Sequence, residues 1–146
     1  MDPAMNPTWP KEYGRRYFAG IVGRENGVCL LAEVSGGAVG YVAGYVREGD
    51  PSRPVVVARL ESMYVRDAAR DRGVGTKLAL RFLGWAGSRG AERASGNAYA
   101  SNGRAICFYE RMGFRPRSLS MEMVLHGGAK VLRLKGPDLP LPGDGA

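Results

Sequence analysis

The stretch that most constrains this chain is VRDAARDRGVGTKLALRFLGWA, Val65 to Ala86. It follows "VVVARLESMYV" (55–65), which reads as a strand of unusual length. Five of the residues from Arg66 to Arg72 are charged, then Gly73 and Gly75 flank a valine. An apolar helical stripe opens at once, through Gly75, Leu78, Ala79, Phe82, Leu83 and Ala86, and ends near Gly87 or Gly90. Strand, glycine turn and helix in that order make a crossover, so the sheet must hold a strand reached by way of a helix.

A helix start of this kind attracts anions. Its first N–H groups have no intrahelical acceptor and carry partial positive charge. Gly73 and Gly75 remove Cβ atoms where the chain turns, while Arg70, Arg72 and Lys77 add charge around the same point. The segment therefore reads as a cradle for a pyrophosphate. It is not a P-loop, because no glycine stands at 70, and not a dinucleotide fingerprint, because Leu78 takes the third glycine position.

The other elements follow from periodicity. Tyr17, Phe18, Ile21 and Val22 recur at helical spacing from Tyr13 onward, stopped by Gly23 and Gly27. "VCLLAEV" (28–34) and "AVGYVAGYV" (38–46) form a hairpin across Ser35-Gly36-Gly37. "REGDPSRP" (47–54) is a loop and "ERASGNAYA" (92–100) a weak strand. "SNGRAICFYERMG" is a helix capped by Ser101 or Asn102 and stopped by Gly113. "RSLSMEMVL" (117–125) alternates as a last strand, and a glycine- and proline-punctuated tail follows. The order is helix, three mostly antiparallel strands, helix, strand, helix, strand: a mixed α/β sheet.

Composition narrows the partners. A net charge of +7 admits nucleic acid or a small polyanion, yet the arginines are scattered and form no long basic run. No run approaches the roughly 18 apolar residues of a membrane span, and "MDPAMNPTWPKEYG" carries no apolar leader. Cys29 and Cys107 sit among apolar residues and read as buried small hydrophobes, which fits a cytoplasmic protein. His126 is the one histidine, so no histidine-rich metal site is expected.

Arg70-x-x-Gly73-x-Gly75, standing after a long strand, resembles the R/Q-x-x-G-x-G/A motif of the GNAT superfamily, the acyl-CoA-dependent N-acyltransferases. "ASNGRAICFYERMGF" (100–114) resembles that family's second signature, here Asn102, Tyr109, Gly113 and Phe114. The likeness runs from about Val28 to Leu125. It implies a mixed, mostly antiparallel central sheet flanked by helices, with acetyl-CoA as cosubstrate and an amine, small molecule or peptide, as acceptor.

By the same resemblance, the amides of Asp71, Arg72, Gly73, Val74, Gly75 and Thr76 hold the pyrophosphate. The backbone of Met63, Tyr64 and Val65 pairs with the pantetheine arm, and Asn102 contacts it too. Tyr109 protonates the leaving thiolate. The base is read from the strand itself: alternation puts Arg59 and Glu61 on one face with Val57 and Met63, and a mid-strand carboxylate is a candidate. By the resemblance, Asn97 stands where some relatives carry a glutamate, and an amide cannot be a base, so Glu61 leads with a water relay as the alternative. Glu61 in an ion pair with Arg59, Asn102 as a plain helix cap, and Tyr109 as a core aromatic are the structural alternatives.

Residues 1–27 supply one helix, so the family's first strand and first helix are expected to be absent, ahead of a catalytic domain at 28–125 and a tail at 126–146. An open sheet edge then invites a homodimer or cover by "KVLRL". A non-catalytic acyl-CoA-binding module and a nucleic-acid-binding domain are the rival functions.

Overall fold

The structure is a computed structural model that describes residues 14–128, with 133, 135 and 136. The expected absence of a first strand and helix falls on residues 1–13, outside the described ones, as does most of "KVLRL". The chain divides into two compact units, Met1–Arg115 and Pro116–Ala146.

In the first unit the elements run α1 (Gly14–Val22), β1 (Gly27–Val34), β2 (Gly37–Arg47), β3 (Val57–Val65), a 3-10 turn (Asp67–Ala69), α2 (Val74–Ser88), β4 (Arg93–Gly96) and α3 (Gly103–Arg111). One sheet has the order β1-β2-β3-β4, with the first three strands antiparallel. The β4 strand runs parallel to β3, as the α2 crossover demands. Ser35 and Gly36, at φ 50° and 78°, make the two-residue turn between β1 and β2. Positive φ at both central positions is what the twist of a tight hairpin requires. The α2 helix ends where Gly90 adopts φ 86°, and Ala91 N–H returns to the Ala86 carbonyl at 3.0 Å.

The core lies between the sheet and α2: Val42, Val46, Ala58, Leu60, Leu78, Phe82 and Ala86 form one buried cluster. Gly44 is needed there, because a Cβ would fall 2.6 Å from the Phe82 ring and 2.2 Å from the Arg59 carbonyl. The other sheet face carries α1: Ile21 is buried, and Phe18 packs edge-on against Tyr41 at 5.4 Å between centroids.

One irregularity in β3 changes which side chains share a face. Ala43 pairs with Ser62 but Gly44 pairs with Leu60, so Glu61 is an extra residue in a β-bulge. Before it, Ala58 and Leu60 enter the α2-side core; after it, Met63 and Val65 pack against that same core. The expectation that Met63 shares a face with Arg59 is therefore corrected. Arg59, Ser62 and Tyr64 stand opposite Tyr45, Ala43 and Tyr41 on the α1 face instead.

Three further expectations change. The strand at 92–100 shortens to Arg93–Gly96. Cys107 is exposed and Cys29 half-buried, because the amphipathic α3 turns Cys107 outward. The second unit has no strand over 117–125; Leu119, Met121, Met123, Val124 and Leu125 are all exposed there. Alternation marks a sequence able to form a strand, but without a hydrogen-bonding neighbour it remains only able.

Candidate active site

The loop from β3 to α2 is built around Arg70. Its Nε donates to the Val65 carbonyl at 2.9 Å, its Nη1 pairs with Asp67 at 2.7 Å, and its guanidinium lies 5.7 Å from the Tyr64 ring centroid. Arg70 thus staples the end of β3 to the turn that leads into the helix. Asp71 at φ 61° and Gly73 at φ 79° then reverse the chain. Gly73 is the N-cap of α2, no side chain caps the helix, and no acidic residue occupies its first turn. The first intrahelical bond runs from Lys77 N–H to the Gly73 carbonyl at 3.0 Å, so the amides of Val74, Gly75 and Thr76 have no helical acceptor. Asp71 pairs with Arg104 at 3.3 Å; Arg72 is exposed and forms no ion pair among the described residues. A Cβ on Gly75 would meet Phe108 and Val65 at 3.7 Å, ordinary contact, so packing alone does not require glycine there.

Beside this loop the sheet opens. Pairing of β3 with β4 stops at Leu60 and Gly96, while β3 continues to Val65. Among the described residues no strand borders β3 beyond that point. Arg66 N–H reaches the Val39 carbonyl at 2.8 Å, which sets the phase of the β2–β3 ladder. By the alternation of an antiparallel pair, Tyr64 then points its backbone groups at β2, and Met63 and Val65 point theirs into the opening. Of the three residues expected to offer backbone there, two face it. Arg70 already occupies the Val65 carbonyl.

The α3 helix supplies the aromatic that faces this divergence. Asn102 caps it, with Oδ1 accepting from Ala105 N–H at 3.1 Å, so the plain cap role is present. Tyr109 sits about two turns further along, against Phe114 and Phe108 at 5.1 and 5.9 Å between centroids. Its ring lies directly on Gly96: a Cβ there would come within 2.9 Å of Cε1, Cζ and Oη. Burial pushes the Tyr109 hydroxyl above the usual tyrosine range, and the Arg59 charge works against that push. Outside this ring, Asp71, Arg104, Cys107, Glu110, Arg111 and Arg115 line a broad open depression.

A polar chain crosses the α1 face of the opening. Arg59 Nε donates to Glu61 Oε2 at 3.2 Å, with both side chains about a quarter to a third exposed. Tyr17, from α1, donates its hydroxyl to the same carboxylate. Its pKa is pushed up to about 12, first by burial and then by that bond and the carboxylate charge. With the Asn97 carboxamide turned to satisfy both its ends, Oδ1 accepts from Arg59 Nη2 at 2.6 Å and Nδ2 donates to the Gly96 carbonyl at 3.2 Å. Tyr41 and Ser62 hydrogen-bond at 2.9 Å on the same face. The ion-pair reading of Glu61 is therefore correct as structure. Sequence reasoning missed Tyr17, whose only signal was its place on the sheet-facing stripe of α1.

A backbone edge left open, an uncapped helix start a few residues on and a half-buried tyrosine over Gly96 make up the geometry of this region. The profile of the Acetyltransferase (GNAT) family matches residues 1–114. The chain belongs to that family. An uncharacterized N-acetyltransferase of Methanocaldococcus jannaschii is 29% identical to this GNAT chain over 109 residues, which is 75% of the chain but 48% of that protein. The chain thus spans about half the length of the curated relative it matches. Among solved structures, the aminoglycoside N-acetyltransferase AAC(6')-Iy, bound to the bisubstrate analogue CoA-S-monomethyl-acetylneamine, superposes with a TM-score of 0.67 at 20% identity, covering 82% of this chain and 84% of that one. An acetyl transferase of Pyrococcus furiosus, so assigned provisionally, gives 0.71 at 22% identity and covers 86% and 83%. A transcriptional regulator of Bacillus halodurans gives 0.67 at 22% identity and covers 76% and 74%. These likenesses establish the GNAT fold. Among the described residues no helix is long and apolar enough to cross a membrane.

Proposed function

We propose that this GNAT chain moves an acetyl group from acetyl-CoA to a primary amine by direct attack within a ternary complex. The observation that carries the reading is the junction of two unsatisfied backbone surfaces. The edge of β3 past Leu60 and the first turn of α2 are separated only by the loop that Arg70 staples. Amides at Val74, Gly75 and Thr76, with Arg72 beside them, suit a pyrophosphate. Met63 and Val65 suit an amide-bearing arm laid along the edge as a further strand. Arg104, Arg111 and Arg115 around the outer depression suit the phosphorylated nucleotide end.

The chemistry then falls to three groups. The acceptor amine, with a pKa of about 10.4 if lysine-like, must shed a proton before it attacks. Glu61 is the carboxylate nearest that task, directly or through water, although Arg59 and Tyr17 both hold it. The Met63 N–H, aimed into the opening, donates to the developing oxyanion. Tyr109 gives its proton to the departing sulfur. For free groups near 10 and 8.5 that transfer is uphill by roughly 2 kcal/mol, and burial of Tyr109 adds to it. The bisubstrate analogue in the complex of the aminoglycoside enzyme supports a small-molecule acceptor, with a peptide amine as the alternative.

Calorimetry with acetyl-CoA, followed by an amine-library screen that reads CoA release, tests this. Tight binding and amine-stimulated release are expected. Tyr109→Phe should lower kcat about ten- to a hundredfold and leave acetyl-CoA affinity unchanged. A folded protein without affinity for acetyl-CoA overturns the reading.

A further inference from the structure

A row of aromatic rings runs across the α1 face of the sheet and ends at β3. Phe18 of α1 meets Tyr17 and Tyr41 edge-on at 5.3 and 5.4 Å between centroids, and Tyr41 of β2 meets Tyr64 of β3 at 6.4 Å. Tyr41 and Tyr64 are cross-strand partners, so both rings rise from the same face. The bond between Tyr41 and Ser62 at 2.9 Å fixes the inner ring, and the Arg70 guanidinium, 5.7 Å from the Tyr64 centroid, closes the row. Tyr64 stands between Met63 and Val65, whose backbone groups face the opening, and is itself 47% exposed. A half-exposed ring backed by a second one, beside a sheet edge without a neighbour, offers a face for a flat ligand.

The carboxylates around this shelf are all engaged. From Val57 to Lys77 the chain contains Glu61, Asp67 and Asp71 and no other acidic residue. Glu61 is held by Arg59 at 3.2 Å and by the Tyr17 hydroxyl, Asp67 by Arg70 at 2.7 Å, and Asp71 by Arg104 at 3.3 Å. At the other end of the face, Arg24 lies 4.5 Å from the Tyr45 centroid, so a cation already covers that ring. An acceptor with several ammonium groups needs a free carboxylate for each one that does not react, and this stretch offers none. A flat apolar body needs only a ring face.

We propose that the acceptor is a monoamine with an aromatic body, an aralkylamine, whose ring lies on the exposed face of Tyr64 while its amine reaches toward Glu61. The inference rests on the acetyl-transfer reading and names its substrate class. The ammonium loses one proton before attack, to Glu61 or water. The amine then forms the C–N bond and gives up a second proton, while the C–S bond breaks with its electron pair on sulfur. Tyr109 supplies the proton of the free thiol, and the second amine proton restores Tyr109 through solvent.

Initial rates of CoA release with phenethylamine, hexylamine, spermidine and kanamycin test this in the full chain at saturating acetyl-CoA. Phenethylamine should give the highest kcat/KM, about tenfold or more above the two polyamines. In Tyr64→Ala the preference for phenethylamine over hexylamine should fall about two- to tenfold, the effect of one ring contact, and Tyr64→Phe should keep it. Equal or better use of either polyamine by wild type overturns the proposal. So does an unchanged phenethylamine-to-hexylamine ratio in folded Tyr64→Ala. Should that variant not fold, judged by circular dichroism, Tyr64→Leu fills the space without a ring and decides the same question. If none of the four amines is acetylated, calorimetry with phenethylamine on the CoA-loaded protein decides, and no binding overturns the shelf. A protein that acetylates only polyamines keeps the acetyl-transfer reading and loses this one. A protein without affinity for acetyl-CoA loses the acetyl-transfer reading, and with it the acceptor assigned here.

Discussion

At the scale of single residues, two tyrosines dominate the site, and both are held neutral by the fold. The hydroxyl of Tyr17 is raised from 10.0 to about 12, and that of Tyr109 moves the same way through burial. A group whose folded pKa lies above its unfolded value contributes stability below the unfolded pKa and loses it as the pH rises through the folded one. Urea unfolding should therefore show a stability that holds to about pH 10 and falls as the pH approaches about 12. Tyr17→Phe should flatten that fall, and an unchanged slope would remove the bond to Glu61 from the account. Tyr109 was singled out through the resemblance of residues 100–114 to the family's second signature. Gly96 and Asn97 were not, because their importance comes from a ring and a guanidinium delivered by distant elements.

At the scale of elements, local patterns were read correctly where backbone hydrogen bonds close within or next to the segment. The hairpin at Ser35-Gly36, the stop of α2 before Gly90 and the cap at Asn102 are all of that kind. The bulge at Glu61 escaped because period-two reasoning assumes that β2 and β3 advance together. The strand expected over 117–125 failed because alternation says nothing about a partner. The start of α2 gives the sharpest test here. Gly73 stands at φ 79°, and a Cβ added to it would meet nothing within 4 Å, so Gly73→Ala introduces conformational strain and no clash. That strain should cost about 1–2 kcal/mol in urea unfolding, and acetyl-CoA affinity should drop as the freed amides tilt away. Unaltered affinity alongside lost stability would mean that the turn serves the fold alone.

At the scale of the whole molecule, the two units differ in how their backbone is protected. The first carries the sheet, three described helices and the buried cluster; the second leaves 117–125 exposed and without a ladder. Limited trypsin treatment should cut after Arg117 well before Arg59 or Arg93, which lie within paired strands. Early cleavage at Arg59 would show that β3 opens more readily than its packing implies. The bulge within β3 has a consequence for how such a chain can diversify. Upstream of Glu61 the even-numbered side chains fill the interior, and downstream the odd-numbered ones do. That change of parity keeps Ser62 and Tyr64 out of the α2-side core, so substitutions at those two positions leave its volume untouched. Removing the single inserted residue would leave a plain ladder in which Leu60, Met63 and Val65 still point inward and Ser62 and Tyr64 outward; what would vanish is the carboxylate that Arg59 holds.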